Sequence, residues 1–425
     1  MGNYSSENSN ILTSVMGIIF IVITSGLLLV LRKFYHKEVL GLSPVFLFIS
    51  YYLVFRYIAD VNLYMRTLRM EIIFYPFLGM LFMTLGAVLY YFMSPISVFS
   101  KKVIVRERLL IIAAILGLIS VVIYYFLSGD IPLLHGLNLS DSDISMHEAR
   151  RKITYAHRAG EVGYFGQGYL KYMFLNILPI SAFYFYFKNK VTNNSSSYYS
   201  ILIIIAVVSQ ILDSRLIPIG RFLIFFFLTK LLVDYVFRKK INIKKIVFPI
   251  LLIFITVYML FAFQNVSRHD SSDINAAFSE RLFLIPTGKL YTIFPDEMDF
   301  RYGQTWLNDL KGLLPGASEN FRYEVHTIIY GGAHGFTLSP TLFASIFINF
   351  GVLGLILFSM LFGYLFNWVG GWLLQYKNLL SIILYCSYAT MIMYSSVSDI
   401  VTTLVPTISI FLLFFIFRKK RGYFA

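Results

Sequence analysis

Charge is what this sequence has least of. Asp, Glu, Lys and Arg make up only 14% of its 425 residues, while 58% are hydrophobic. A soluble domain carries about 25% charged residues to cover its surface, so an ordinary water-soluble fold is excluded. Cysteine is nearly absent. The single Cys386 lies in an apolar stretch, which rules out an intramolecular disulfide and any cysteine metal cluster. Acid is scarcer than base, with 22 Asp and Glu against 36 Lys and Arg. The first ten residues hold no Lys or Arg and include Glu7, so they lack the basic start of a cleavable signal peptide. The first apolar block is therefore read as a retained span. No internal repeat relates the two halves, which weighs against a transporter built from duplicated bundles.

What the sequence does have is apolar blocks of the length that spans a hydrocarbon core of about 30 Å. Eleven candidate spans run at 11–31, 40–58, 71–93, 109–127, 169–187, 200–213, 221–237, 246–264, 339–366, 379–396 and 403–417, the sixth and eleventh being short. The expected fold is all-α: one polytopic membrane domain over 1–425, with two long extracytoplasmic loops at 128–168 and 265–339. The net charge of +14 does not point to nucleic acid, because the basic residues cluster between apolar blocks. One alternating set of connections holds Arg32-Lys33, Lys101-Lys102, Lys188, Lys190, Arg238-Lys239-Lys240, Lys377 and Arg418-Lys419-Lys420-Arg421. Short cytoplasmic loops carry such an excess, which places the N-terminus outside and the C-terminus inside. The expected partners include membrane lipids and exclude nucleic acid.

The two long loops hold His135, His147, His157, His269, His326 and His334, six of the seven histidines. In the first loop, Ser145 and Glu148 have capping-box spacing and predict a short helix from Met146. On it His147, Arg151, Thr154 and Arg158 share one face. That face suits an anionic substrate and equally suits lipid phosphates. The segment Asp213-Ser-Arg215-Leu-Ile-Pro218-Ile-Gly220-Arg221 places two arginines beside a Pro-Gly pair at the ends of two apolar blocks. Charges at membrane depth are costly and are retained for a partner or a pathway. Pro218 and Gly220 are expected to break the helices there and to leave backbone facing a cavity. The planar guanidinium fork matches phosphate oxygens, so Arg215 and Arg221 are candidates for anion binding; snorkelling anchors are the alternative.

The second loop spreads Arg268, Arg281, Lys289, Arg301, Lys311 and Arg322 among aromatics that include Tyr302, Trp306, Tyr323 and Tyr330. Such aromatics suit sugar rings or a headgroup belt. His334 lies between glycines at the rim of the ninth span and is a candidate base or phosphate donor. His326 and His334 lack a third ligand at a recognisable spacing, so no metal is expected.

These features together resemble the Wzy-type oligosaccharide repeat-unit polymerases, which build O-antigen and capsule at bacterial plasma membranes. The resemblance lies in the many spans, the outward loop before the fifth span, Gly220-Arg221, Ser339-Pro340-Thr341-Leu342, and Asn349-Phe350-Gly351-Val352-Leu353-Gly354. Family members carry an Arg followed eleven residues later by Gly in their outer loops. Arg301 and Gly312 fit that spacing, whereas Arg158 and Gly168 miss it by one. Many also carry an acid early in the late span, where this chain has Ala344-Ser345.

The resemblance implies a membrane-embedded glycosyltransferase of the GT-C type, needing no cofactor, in the plasma membrane with its active site on the extracytoplasmic face. It would transfer a growing glycan from undecaprenyl pyrophosphate to a new lipid-linked repeat unit in lipopolysaccharide or capsular polysaccharide biosynthesis. Its partners would be undecaprenyl-pyrophosphate-linked oligosaccharides and a chain-length regulator protein. On this reading Arg215 and Arg221 hold pyrophosphate, Arg281 or Arg301 assists, Arg151 and Arg158 line the first loop, and His334, Glu324 and Asp270 are candidate bases. An O-antigen ligase is the nearest alternative; there His is followed closely by Asn, and here His334 is followed by Gly335. A lipid-linked oligosaccharide flippase or other transporter is the alternative of a different class.

Overall fold

The computed structural model describes almost all of residues 18–30, 43–93, 99–137, 167–193, 198–212, 216–238, 288–311, 324–328, 339–398 and 401–419. Most of the chain is helical. Among the described residues nine helices form the frame: α1 Pro44–Thr67, α2 Glu71–Met93, α3 Glu107–Ser128, α4 Gly168–Val191, α5 Tyr198–Ile211, α6 Leu216–Val233, α7 Leu342–Leu374, α8 Leu379–Ser395 and α9 Val401–Phe417. Among the described residues α1, α2, α3, α4 and α7 are long and apolar enough to cross a membrane. Shorter apolar helices are Ile18–Leu27, α5, α8 and the Thr407–Phe417 part of α9. The expected eighth span at 246–264 and the expected helix from Met146 lie outside the described residues.

Local chemistry sets where these helices begin and end. Ser43 caps α1 by accepting the Phe46 amide at 2.9 Å, with Pro44 in the first turn, where its missing N–H costs nothing. Thr341 caps α7 through the Ala344 amide at 3.1 Å, and Asn378 caps α8 through the Leu380 amide at 2.6 Å. Leu68 closes α1 in the left-handed region, at φ 57°. The apolar block at 40–58 stops short of this point, yet the helix runs on to Thr67 through Arg56, Asp60 and Arg66.

The central contact joins α2 to α7, which pack along much of their length. Glycines set their separation. A Cβ at Gly86 would lie 1.9 Å from the Met360 carbonyl oxygen, and one at Gly363 would lie 2.0 Å from that of Met83. Small residues let backbones approach this closely where no hydrophobic force between helices is available.

Connections gather at two ends. At the Leu374 end, the Phe99 and Lys101 amides donate to the Leu374 and Gln375 carbonyls, both at 2.8 Å. There β1 Ile104–Val105 pairs antiparallel with β2 Arg418–Lys419, and Lys101 and Arg418 both approach the Tyr376 ring. At the Thr341 end, residues 288–305 lie against α1, α2 and α7. The cation-rich connections at 101, 377 and 418–419 thus share one end, as the alternation in the sequence requires.

Candidate functional site

Arg221 occupies a recess between α4, α5, α6 and α8. The recess is narrow, with room for about one water molecule, and its polar lining comes from Asn176, Gln210, Arg221, Ser387 and Thr390. Its origin is local to α4. Met173–Ile177 forms a π turn, and Pro179, which has no N–H, follows it. The carbonyls of Phe174 and Leu175 are met instead by side chains: Gln210 Nε2 donates to the first at 3.2 Å and Arg221 Nη2 to the second at 3.5 Å. Pro218 and Gly220 do not break the helix, contrary to expectation. Both lie inside α6, in the first turns, where proline is tolerated. The irregular backbone at this site belongs to α4.

The second arrangement surrounds an interruption in α7. Gly351 adopts φ 63° and ψ −158°, a conformation open to glycine, and the Phe300 ring packs on its open face. Helix carbonyls released there are taken by the loop: the Arg301 amide donates to Ile348 O at 2.9 Å and the Tyr302 amide to Asn349 O at 3.0 Å. Asn349 completes the join. Its Oδ1 accepts the Gly303 amide at 2.9 Å, and its Nδ2 donates to Thr305 Oγ1 at 2.6 Å and to Ser345 O at 2.8 Å. Arg301 forms an ion pair with Glu324. Of the expected site residues in the second loop, these two are brought together.

Trp306, which the sequence offers to a sugar ring or a headgroup belt, is half-buried. Its indole N–H donates to Ser345 Oγ at 2.9 Å, and its ring packs against Phe350, Phe358 and Phe362. It plugs the loop into α7 just below the interruption.

A third polar centre was missed from the sequence. Asp60, on α1, is fully buried; its Oδ1 accepts the Gly288 amide at 2.8 Å and its Oδ2 accepts the Tyr52 hydroxyl at 3.3 Å. Tyr291 faces Tyr52 and Thr341 in the same pocket. Burial pushes the Tyr291 phenol well above its ordinary range, and the nearby Asp60 carboxyl adds to this, so the phenol stays protonated.

One turn before Asp60, Arg56 projects from a π turn at Leu53–Tyr57, near the middle of the 24-residue α1. Nearby on the same helix, the Tyr51 ring lies 6.1 Å from the Tyr394 ring of α8. The signal for this centre was the i, i+4 spacing of Arg56 and Asp60 at the edge of an apolar block, which marks charges held at membrane depth.

His334, Asp270, Arg215, Arg281, Arg151 and Arg158 lie outside the described residues. Among the described residues no three His, Cys, Asp or Glu side chains are grouped to hold a metal ion. No protein-family model, curated protein or solved structure matches the chain.

Proposed function

We propose that this membrane protein is a glycosyltransferase that polymerises lipid-linked oligosaccharide repeat units, using a polyprenyl pyrophosphate as donor at the extracytoplasmic face. The observation that carries the reading is Arg221 in its polar recess, a guanidinium beside Asn176 and Gln210 where α4 gives up regular helix. A permanent cation with planar, bidentate donors suits phosphate oxygens, and a recess at membrane depth suits a lipid whose tail stays in the bilayer. Eleven spans with the N-terminus outside and the C-terminus inside belong to the same proposal.

In the reaction, the acceptor hydroxyl of the incoming unit attacks the anomeric carbon of the donor glycan. The C–O bond to pyrophosphate breaks and the leaving oxygen takes the electron pair. Arg221 stabilises the negative charge that builds on that oxygen, a preorganised interaction strongest in the transition state. The hydroxyl proton passes to a base, for which His334 and Asp270 are the candidates beside Glu324. Glu324 is already engaged by Arg301, which favours the other two for this role.

The test uses Arg221→Ala in cells whose surface glycan reports on chain length, together with purified protein in detergent supplied with a lipid-linked repeat unit. Single-unit glycan in cells and no extension in detergent are the expected outcomes. Long chains at normal protein level would overturn the role of Arg221. A wild-type protein that fails to extend the unit in detergent, where no translocation is scored, would turn the reading toward a transporter.

A further inference from the structure

We infer that the cations gathered at the Leu374 end form one binding site for the phosphate of an anionic phospholipid, whose acyl chains lie along α9. The inference concerns a lipid that stays in the bilayer and goes beyond the glycan reaction.

Backbone bonds hold these cations together from distant parts of the chain. The Lys101 amide donates to Gln375 O at 2.8 Å and the Lys377 amide to Lys101 O at 2.9 Å, so the connection after α2 runs along the turn between α7 and α8. The Arg106 amide donates to Phe417 O at 2.8 Å, and the β1–β2 ladder sets Ile104 opposite Lys419 and Val105 opposite Arg418. Side chains close the join. Lys101 Nζ lies 5.8 Å from the centre of the Tyr376 ring and the Arg418 guanidinium 5.7 Å from it, so one buried ring seats both cations. Lys101 also donates to Gln375 Oε1 at 2.8 Å.

Charge at this strip is not balanced from within. Among the described residues none of Lys101, Arg106, Lys377, Arg418 and Lys419 forms an ion pair. Glu107, next to Arg106, already accepts from Lys188 on both oxygens and from the Tyr184 hydroxyl. Arg418 is half-buried and the other cations are exposed. Like charges held this close repel, and an anion bound among them removes that cost. Orienting a chain in a membrane requires cations in such connections, but it does not require backbone bonds that lock them into one strip.

The apolar surface beside the strip indicates which anion fits. On α9 the side chains of Ile408, Leu412, Phe415 and Ile416 are exposed at i, i+4, i+7 and i+8, one continuous face that ends just before Arg418. The Trp372 ring fixes the other side of α9, with centroids 4.7 Å from Phe411 and 4.8 Å from Phe414. Ile104, across the ladder from Lys419, is exposed as well. A soluble acidic partner would leave this face bare. A phospholipid covers it with its chains while its phosphate reaches the cations.

The test is native mass spectrometry of the full-length protein in a neutral detergent, titrated with phosphatidylglycerol and, separately, with phosphatidylcholine of the same chains. Phosphatidylglycerol should fill its first site at least about ten-fold more tightly, since each cation near a phosphate contributes about five-fold. Arg418→Gln and Lys101→Gln should each remove about five-fold from phosphatidylglycerol binding and leave phosphatidylcholine unchanged. Arg66→Gln, at the far end of α1, should change neither.

Equal binding of the two lipids by wild type would overturn the inference. An equal loss in Arg66→Gln would do the same, because it marks a general effect of net charge. Displacement of bound phosphatidylglycerol by an equimolar oligoglutamate peptide would also overturn it, since the strip would then serve an acidic protein. Glycerophosphoglycerol, which has the phosphate without the chains, should leave the lipid in place; equal competition by it would remove the α9 face from the site. Should Arg418→Gln lower the melting temperature, Lys419→Gln repeats the measurement with an exposed side chain. An undiminished lipid preference in both Lys101→Gln and Lys419→Gln would then overturn the inference. No arm reads glycan extension, so the polymerase reading stands or falls separately.

Discussion

The buried carboxylate of Asp60 accepts the backbone amide of Gly288 at 2.8 Å, joining the first long helix to the described start of the second loop. A side chain at position 288 has no room, because a Cβ there would lie 2.6 Å from Ile72 and 2.9 Å from Asp60 Oδ1. Gly288→Ala should therefore cost about 1–3 kcal/mol, by displacing that hydrogen bond and leaving a buried acceptor unmet. Thermal unfolding in detergent, followed by tryptophan fluorescence, measures the loss. A melting temperature equal to wild type would show that the amide is not needed.

Asn349 should be the most sensitive single position in the loop attachment. Its side chain meets Gly303, Thr305 and Ser345 at once, and it is buried. Asn349→Ala should destabilise by roughly 2 kcal/mol or more, since three partners lose their bonds in a place water does not reach. Limited proteolysis should then cut within 301–311 faster than in wild type, while the helices stay protected.

Gly86→Ala and Gly363→Ala should each be more damaging than alanine at an ordinary helical glycine. The added carbon would meet carbonyl oxygens of the opposing backbone at 1.9 and 2.0 Å, so α2 and α7 must separate as units. Overpacking of this kind costs about 1–3 kcal/mol or more. Yield of folded protein on size-exclusion chromatography reads the effect; normal yield and melting for both variants would contradict the close helix contact.

The Arg301–Glu324 pair should be worth little to stability. Its side chains are 31% and 40% exposed, so a double-mutant cycle should give a coupling of about 0.2–1 kcal/mol that shrinks with added salt. Glu324→Gln separates partner from base. It should keep glycan extension within a few-fold of wild type if the carboxylate only orients Arg301, and abolish it if Glu324 takes the proton.

The apolar blocks made the helical frame legible, because a backbone in hydrocarbon has to satisfy its own hydrogen bonds and a continuous helix does so. The alternation of cations likewise foretold that the connections at 101, 377 and 418–419 share an end. What escaped was everything set by tertiary partners. The 40–58 block stops just short of Asp60, and only the structure reveals Gly288 and Tyr52 donating to its carboxylate. Pro218 drew attention as a breaker, yet at a helix start its lost N–H is harmless. Pro179, inside α4, is where a missing donor leaves carbonyls open to Gln210 and Arg221. Trp306 read as suiting a sugar ring or a headgroup belt because composition does not tell how much of a ring is packed against its neighbours.

The interruption at Gly351 also bears on how the protein meets bilayers of different thickness. An unbroken helix of 33 residues would measure about 50 Å, far more than a hydrocarbon core of about 30 Å. The part after Gly351 is roughly 35 Å long and spans alone, leaving Leu342–Phe350 as a separate arm held by the loop through Asn349. The loop also grips the spanning part, because Trp306 reaches Ser345 before Gly351 and packs on Phe358 and Phe362 after it, so a tilt forced by bilayer thickness is passed on to residues 301–306.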